Sequence, residues 1–238
     1  MVGKGKSRRR LALMVALALS TGGAYLPSGG GFLWQGSTAY AADVTVGVSE
    51  DQAGDVTGGT TDNNTVTIGA ESGGDHPVIG GHVVGGTSAN ATGNVVTVNS
   101  IKLSRSDGTI YGGTATGTAS NNTVIFKGGS ATSLIGGTTS GASGGAQGNI
   151  VTVSGGNLSY VWGGLVTAGS GSATGNIVNI NGGTFSSGGV IIGGGAKNNT
   201  VTGNMSNNTV TITGGALNNN NKDEVIGELT RIINELIE

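Results

Sequence analysis

One five-residue motif recurs six times along this chain: Asn-x-Val-x-Ile, with Val or Phe at the last position in some copies. Its copies begin at Asn64, Asn94, Asn122, Asn149, Asn176 and Asn208. Successive copies are separated by 30, 28, 27, 27 and 32 residues. A repeat of about 20 to 50 residues is typical of solenoids, in which each unit buries its apolar face against its neighbours. This motif therefore predicts a repeat architecture.

The pattern within the motif predicts a strand. Side chains alternate between the two faces of a strand, so the third and fifth motif residues share one face. The third residue is Val in all six copies, which indicates one fixed core position. The residue between the two apolar positions is mostly polar and suits the solvent face. Its copies are Thr67, Thr97, Ile125, Thr152, Asn179 and Thr211.

A second motif, two apolar residues followed by Gly-Gly, lies between the copies of the first. Its copies are Val78-Ile79-Gly80-Gly81, Ile110-Tyr111-Gly112-Gly113, Leu134-Ile135-Gly136-Gly137, Val161-Trp162-Gly163-Gly164 and Ile191-Ile192-Gly193-Gly194. Each unit is thus predicted to hold two short strands, each followed by a Gly-Gly turn, and then a variable loop. A partial copy from Val44 to Gly59 opens the array. We expect an all-β parallel β-solenoid of about six to seven coils, with neighbouring strands about 4.8 Å apart.

Composition agrees with a thin, repeated core. Of the 238 residues 50 are Gly, 4% are aromatic and 10% are charged, against roughly 25% charged in an ordinary globular domain. Intrinsic disorder is disfavoured because disordered chains carry high net charge and few β-branched residues. Here the net charge is −2, and Val, Ile and Thr recur in regular runs. A solenoid needs fewer large apolar residues than a single globular core.

Residues 1–41 have the layout of a signal peptide. Lys4, Lys6 and the arginines at 8–10 precede an uncharged apolar stretch, Leu11–Leu19, which is short for a transmembrane helix. The best small-residue cleavage site is Ala39-Tyr40-Ala41. Cleavage nearer Ser20, or an uncleaved anchor, stays open as an alternative. The segment predicts export through the inner membrane.

The pattern changes again after the repeats, which occupy residues 42–221. Residues 222–238 carry apolar residues at helical spacing, and Asn221 with Glu224 resembles a capping box. The apolar positions are Val225, Ile226, Leu229, Ile232, Ile233, Leu236 and Ile237. We expect a C-terminal amphipathic helix that either caps the last coil or mediates oligomerisation.

The six motif asparagines are predicted to stack, one per coil, as a ladder of side-chain amides. The competing hypothesis is a ligand or metal site along the same line, but stacking alone accounts for an Asn repeated once per coil. We therefore assign Asn64, Asn94, Asn122, Asn149, Asn176 and Asn208 a structural role. No cofactor or metal ligand is predicted elsewhere: His76 and His82 flank Val78–Gly81, but their spacing matches no metal motif.

The aromatic residues are the candidate ligand contacts. Tyr111 and Trp162 occupy equivalent positions of the second motif two coils apart, with Tyr160 nearby. Aromatic rings at that spacing could stack on a sugar, although packing at a corner of the coil is the competing explanation. Rows of Thr on one face also resemble ice-binding solenoids, but Ile125 and Asn179 interrupt the row.

Charge excludes one class of partner and disfavours one class of activity. Nucleic-acid binding requires a basic face, and the cations within the repeats are scattered. A glycan-active β-helix enzyme requires carboxylates clustered across adjacent coils. Acidic residues here concentrate at the two ends, at 43–62 and 223–238. We therefore predict that the protein is not an enzyme and has no catalytic residues.

The signal layout followed by reiterated Asn-x-Val-x-Ile and apolar-apolar-Gly-Gly motifs resembles the passenger domains of Gram-negative autotransporters and related β-helical surface adhesins. The resemblance covers about Val44 to Gly215. It implies a secreted or cell-surface adhesin that contacts host or bacterial surface molecules, including glycans, or copies of itself. In that family a C-terminal β-barrel follows the passenger, whereas residues 222–238 here carry the acidic helical pattern. We therefore expect either a truncated or split passenger or a chain that is exported by another component, such as an outer-membrane translocator acting in trans.

Overall fold

The structure is a computed structural model that describes residues 41–70, 76–197 and 201–217. Within these ranges the protein contains strands and no helix, and all the paired strands are parallel. The strands are β1 Asp43–Val46, β2 Val56–Thr57, β3 Thr65–Ile68, β4 Val78–Ile79, β5 Val83–Val84, β6 Thr87–Ser88, β7 Ala91–Thr92, β8 Val95–Val98, β9 Lys102–Leu103, β10 Thr109–Ala115 and β11 Ala119–Ser120. They continue as β12 Thr123–Phe126, β13 Ser133–Thr139, β14 Ala146–Gln147, β15 Ile150–Val153, β16 Asn157–Val166, β17 Ala173–Thr174, β18 Ile177–Ile180, β19 Thr184–Ala196, β20 Met205–Ser206 and β21 Thr209–Ile212.

These strands confirm the predicted all-β fold, a parallel β-solenoid, and form about five coils. A coil here means one circuit of the chain around the solenoid axis. The estimate of six to seven coils stays a prediction, because the ends of the chain lie outside the described residues. The predicted signal segment, 1–41, falls outside them except for its last residue, and the predicted helix, 222–238, falls outside them entirely.

Sheet 1 is built from the Asn-x-Val-x-Ile motifs and has the order β1-β3-β8-β12-β15-β18-β21. Its register places the Val of each motif beside the Val of the next, as at Val66, Val96 and Val124. These side chains and the fifth motif residues point inward and are fully buried from β3 to β18. The fourth motif residue faces outward in every coil, as strand alternation predicts.

Sheet 2 runs β19-β16-β13-β10-β5-β2, with β6 also pairing with β10. Sheet 3 contains five two-residue strands in the order β20-β17-β14-β11-β7. A further small sheet pairs β4 with β9. Each coil therefore passes through sheet 3, then sheet 1, then sheet 2, and stacks on the previous coil in all three. Sheet 3 contributes mainly a column of buried alanines, which leaves little side-chain volume at that corner.

The core is a continuous cluster of aliphatic residues that runs along the axis. Phe126, the largest fully buried side chain, lies in the middle of sheet 1. A second inward column leads into sheet 2, with Leu158 beside Phe185 and Leu217 packed against the same core. Burying one large apolar side chain contributes roughly 1.5–3 kcal/mol, so this thin core is stable only because every coil repeats it.

The structure corrects the first copy of the second motif. In sheet 2 the residues in register with Ile110-Tyr111 are Val83-Val84, and Gly85-Gly86 follow them. The predicted copy, Val78-Ile79-Gly80-Gly81, pairs instead with Lys102-Leu103 in the small sheet. Two apolar-apolar-glycine segments lie within nine residues of each other here, and the pattern alone does not say which of them continues sheet 2.

The structure also separates two kinds of Gly-Gly pair. The pairs that follow sheet 1 form true turns, with left-handed φ values of 96° at Gly129 and 95° at Gly183. The pairs of the second motif do not: Gly112 and Gly113 lie inside β10 without a left-handed φ. The prediction of a turn there was wrong. Glycine is required at these sites because the backbone of the next coil and the Asn side chains lie too close to leave room for a Cβ atom.

Candidate functional site

The line of motif asparagines occupies the corner between sheet 3 and sheet 1. Each anchor Asn, the first residue of the motif, is preceded by one residue in the left-handed conformation. The φ values are 59° at Asn63, 69° at Gly93, 54° at Asn121, 61° at Gly148, 65° at Gly175 and 57° at Asn207. Only Gly and Asn occur at these six positions, and they are the residues that adopt this conformation most readily. The left-handed residue turns the chain sharply and directs the Asn side chain inward.

The amides form a continuous hydrogen-bonded ladder. Nδ2 of Asn64 donates to Oδ1 of Asn94 at 2.7 Å, and each later rung repeats this bond at 2.8 to 2.9 Å. The backbone N–H of each anchor Asn donates to the same oxygen of the next rung at 3.0 to 3.1 Å. At the first rung, the backbone N–H of Ala42 donates to Oδ1 of Asn64 at 2.8 Å.

From Asn122 onward, each amide nitrogen also binds the coil before it. Nδ2 of Asn122 donates to the carbonyl oxygen of Ala91 at 2.9 Å, and Nδ2 of Asn149 donates to that of Ala119 at 3.0 Å. The equivalent bonds of Asn176 and Asn208 reach Ala146 and Ala173. The amides of Asn122, Asn149 and Asn176 therefore each link three successive coils.

The glycines of the second motif leave space for this ladder. A Cβ on the second glycine of the pair would strike the amide: at Gly113 it would lie 2.7 Å from Oδ1 of Asn122. A Cβ on the first glycine would strike the backbone of the next coil: at Gly112 it would lie 2.3 Å from the carbonyl oxygen of Gly136. The same two contacts recur in the neighbouring coils, so the Gly-Gly pair is the packing partner of the Asn ladder.

The ladder has no capacity left for a ligand. From Asn94 to Asn176 the amides are fully buried, and each Oδ1 accepts two hydrogen bonds, which occupies both of its lone pairs. Both Nδ2 hydrogens of Asn122 are likewise donated within the protein. This arrangement holds coils together and offers neither a metal ligand nor a proton donor to solvent.

The outer face of sheet 2 carries the predicted aromatic contacts. Tyr111 and Trp162 lie in one outward column, two coils apart, with Ile135 between them. Val84 and Ile192 extend this column at its two ends. We call these five residues the outer apolar column. Tyr111 and Trp162 are half-buried, and Ile135 between them is buried.

Tyr160 lies on the same strand two residues before Trp162 and is 39% exposed. Beside it an open groove of about 310 Å³ crosses several coils. Its lining residues are Leu103, Ser130, Ala131, Thr132, Asn157, Leu158, Ser159, Thr184 and Ser186. The buried Ala131 and Leu158 form part of its apolar floor, and the hydroxyl and amide groups surround it. The structure thus places all three predicted aromatics on one side of the solenoid. The groove reaches Ser159, the chain neighbour of Tyr160, and none of the three aromatics lines it.

His82 has a local structural role. Its backbone N–H donates to Oδ1 of Asp55 at 2.7 Å, and its Nδ1 accepts the backbone N–H of Thr109 at 3.1 Å. Its ring also meets Tyr111 edge to face, with ring centroids 5.9 Å apart. His82 therefore joins the first coils of sheet 2 and supports the Tyr111 ring. Among the residues that the structure describes, no group of three or more His, Asp or Glu side chains could hold a metal ion.

The threonine row lies on the outer face of sheet 1. Thr45, Thr67 and Thr97 are adjacent in register, and Ile125 and Asn179 interrupt the row further along. The interruptions therefore fall on the fourth and the sixth of the seven strands of sheet 1.

The ion pair of Arg105 and Asp107 is fully exposed, in the loop before β10. Its hydrogen bond lowers the pKa of Asp107 below its usual value. In the described part of the chain no helix is long and apolar enough to cross a membrane.

Sheet 3 and its left-handed corner escaped prediction from the sequence. The signal was present as Ala-x-Gly-Asn, at 91–94, 146–149 and 173–176, and as Ala-x-Asn-Asn at 119–122. The Ala begins sheet 3, and the residue before the anchor Asn supplies the left-handed corner. The motif therefore extends three residues further toward the N-terminus than the Asn with which its copies were first aligned.

Comparison of the chain with protein families, with curated proteins and with solved structures returned no match.

Proposed function

We propose that this protein is an exported, non-enzymatic structural repeat protein that acts as an adhesin. The outer face of sheet 2 is its binding surface. One observation carries the proposal: the invariant polar residue of the repeat is consumed in holding coils together, whereas the outer apolar column varies from coil to coil. Because the stacking of coils does not fix the residues of the outer apolar column, selection for binding can change them.

The chemistry of this surface favours a neutral glycan. Aromatic rings present a flat apolar face on which a sugar ring packs, and Tyr and Trp carry a polar group at the edge. Tyr111 and Trp162 are about 9.6 Å apart along the axis, at about 4.8 Å per coil, which is comparable to the length of a disaccharide. The hydroxyl groups of the adjacent groove supply hydrogen-bond partners without formal charge.

A glycan array tests the proposal. The purified chain is expected to bind neutral glycans, and the double variant Tyr111→Thr, Trp162→Thr is expected to lose that binding. Thr57 of β2 lies beside Val84, one strand beyond the end of this column, so Thr suits the sheet. Ile125→Thr is the matched control, since it removes an outward apolar side chain from sheet 1.

Two outcomes would contradict this proposal. Equal glycan binding by the wild type and the double variant would show that Tyr111 and Trp162 do not form the binding surface. Release of shortened sugars from the glycans that bind would contradict the non-enzymatic role and favour a glycan-active β-helix enzyme.

Binding of ice or a crystal surface through sheet 1 is tested separately by thermal hysteresis, and that activity would be lost in Thr67→Val, Thr97→Val.

The proposed location is the cell surface or the medium, with host or bacterial surface molecules, or further copies of this chain, as partners and a translocator in trans. Support comes from the signal layout of residues 1–41 and from the resemblance to autotransporter passengers. Fractionation of cells that express the full chain tests it. The variant Val15→Arg, Leu17→Arg interrupts the apolar stretch and is expected to keep the protein in the cytoplasm. Recovery of wild-type chain from the cytoplasm alone would contradict export.

A further inference from the structure

The last coil of the solenoid exposes its core. Val210 is 38% exposed, whereas the Val at the same position of each of the preceding five motifs is fully buried. The side of β21 away from β18 pairs with no strand among the described residues. Ile212 and Leu217, which pack against the core from this coil, are only half-buried. The end of the solenoid is therefore an apolar surface with an unpaired backbone edge, the kind of edge that other chains add to.

The ladder also stops at this coil. From Asn64 to Asn176, the backbone N–H of each anchor Asn donates to the next Asn side chain. In the described part of the chain, no further anchor Asn follows Asn208. A second copy stacked head to tail would not continue the ladder, because Ala42 occupies the ladder position of the first coil. The methyl group of Ala42 offers no acceptor to the N–H of Asn208.

The chain itself leads to this surface. It leaves the described residues at Leu217, which belongs to the last coil, and the apolar stripe at 225–237 begins only eight residues later. A 17-residue helix at 222–238 would be about 25 Å long, enough to lie across the end of a coil. Its other face carries Asp223, Glu224, Glu228, Arg231 and Glu235, a composition that suits solvent.

We propose that residues 222–238 cover the C-terminal end of the solenoid, with the apolar stripe packed over Val210 and Ile212. The segment then shields the open edge of β21 and prevents the addition of a second copy. This inference concerns the solenoid end and is independent of the proposed glycan surface.

Cysteine labelling tests the proposal in the full chain, which has no cysteine of its own. Val210→Cys reports on the covered surface. Thr211→Cys, on the outward face of the same strand, is the matched control. Each is combined with Ile232→Glu, Ile233→Glu, which disrupts the apolar stripe. Thr230→Glu, Asn234→Glu adds the same charge outside the stripe. A chain that ends at Leu217 provides a second form of the test.

Maleimide is expected to react with Val210→Cys about tenfold more slowly in the chain with the wild-type apolar stripe than in the chain that also carries Ile232→Glu, Ile233→Glu. In the former chain, labelling requires residues 222–238 to detach first. Thr211→Cys is expected to react equally in all backgrounds, and Thr230→Glu, Asn234→Glu to leave the protection intact. Equal rates at Val210→Cys in the intact and stripe-variant chains would overturn the proposal. Protection that disappears on dilution would also overturn it, since a second copy would then be the cover.

Discussion

The ladder corner and the outer apolar column belong to the same coils, yet they differ in how far the sequence can vary. At the corner each side chain has a copy of itself as neighbour on both sides, so Asn122 is bonded to Asn94 and Asn149. In the outer column the neighbours are Tyr111, Ile135 and Trp162, which share no hydrogen bond between side chains. Repetition is thus imposed where buried polar groups must be satisfied and relaxed where the side chains are apolar and lie on the outer face of a sheet. The ladder residues thus determine how the coils stack, whereas the outer apolar column is the surface for which we propose binding specificity.

The largest expected effect is the loss of one rung. Asn122→Ala leaves two buried donors of Asn94 without their acceptor. It also removes one of the two hydrogen bonds to Oδ1 of Asn149 and the side-chain hydrogen bond to the carbonyl oxygen of Ala91. Each unsatisfied buried group costs about 1–3 kcal/mol, so the free energy of unfolding should fall by about 3 kcal/mol or more. Urea denaturation followed by circular dichroism measures it.

Asn157→Ala is the matched control for the rung. This Asn has an exposed side chain on the rim of the groove, so its removal should change the free energy of unfolding by less than about 0.5 kcal/mol. Similar decreases in the free energy of unfolding for Asn122→Ala and Asn157→Ala would mean that the ladder hydrogen bonds contribute no more to stability than an exposed Asn side chain.

The glycine beside the ladder comes next. Gly112→Ala places a methyl group 2.3 Å from a backbone oxygen of the next coil, which a side-chain rotation cannot relieve. Overpacking costs about 1–3 kcal/mol, and we expect the upper end of that range. Gly54→Ala, where no atom lies within 4 Å, is the control and should be close to neutral. If Gly54→Ala lowered stability more than Gly112→Ala, the close contact between neighbouring coils would not be the reason that the second motif contains glycine.

A smaller effect is expected at the left-handed corner. Around Gly175 the nearest atom to an added Cβ is 4.0 Å away, so only its φ of 65° constrains the residue. Gly175→Ala should cost about 1–2 kcal/mol of conformational strain, whereas Gly175→Asn should cost much less, as in the coils that carry Asn there. Thermal unfolding of the two variants measures the difference. Equal melting temperatures would refute the role given to backbone conformation.

The smallest effect on stability is expected in the outer column. Trp162→Thr replaces a half-buried, outward-facing side chain by Thr, the residue that lies beside Val84 just beyond the end of this column, at Thr57. Strand propensities span about 1 kcal/mol, so the free energy of unfolding should change by no more than about that amount. Glycan binding, measured on the same preparation, should be lost. A large loss of stability would assign Trp162 to packing and remove it from the proposed binding surface.

The sequence predicts sheet 1 residue by residue because its alternation is regular in every copy. The third and fifth motif residues, such as Val124 and Phe126, are buried and the fourth, such as Ile125, faces outward. The stacking of Asn122 also follows from register alone, since identical residues at one position of a parallel solenoid must be neighbours.

The rest required three-dimensional information. Glycine serves both for left-handed turns and for close approach, and the sequence does not distinguish Gly129, a turn, from Gly112, a close contact. Sheet 3 was missed because its strands have two residues, too short for any periodicity. The choice between Val78-Ile79 and Val83-Val84 depends on which segment reaches the next coil, a long-range contact that a local pattern does not encode.

The central claim is an in-register parallel solenoid, and one distance tests it most directly. Thr67 and Asn179 lie in the same outward column of sheet 1, four coils apart. Spin labels at Thr67→Cys and Asn179→Cys should give a narrow distance distribution centred near about 19 Å, at about 4.8 Å per coil. These residues are 112 positions apart in the chain. A broad distribution, or a narrow one centred far from this distance, would contradict the solenoid register.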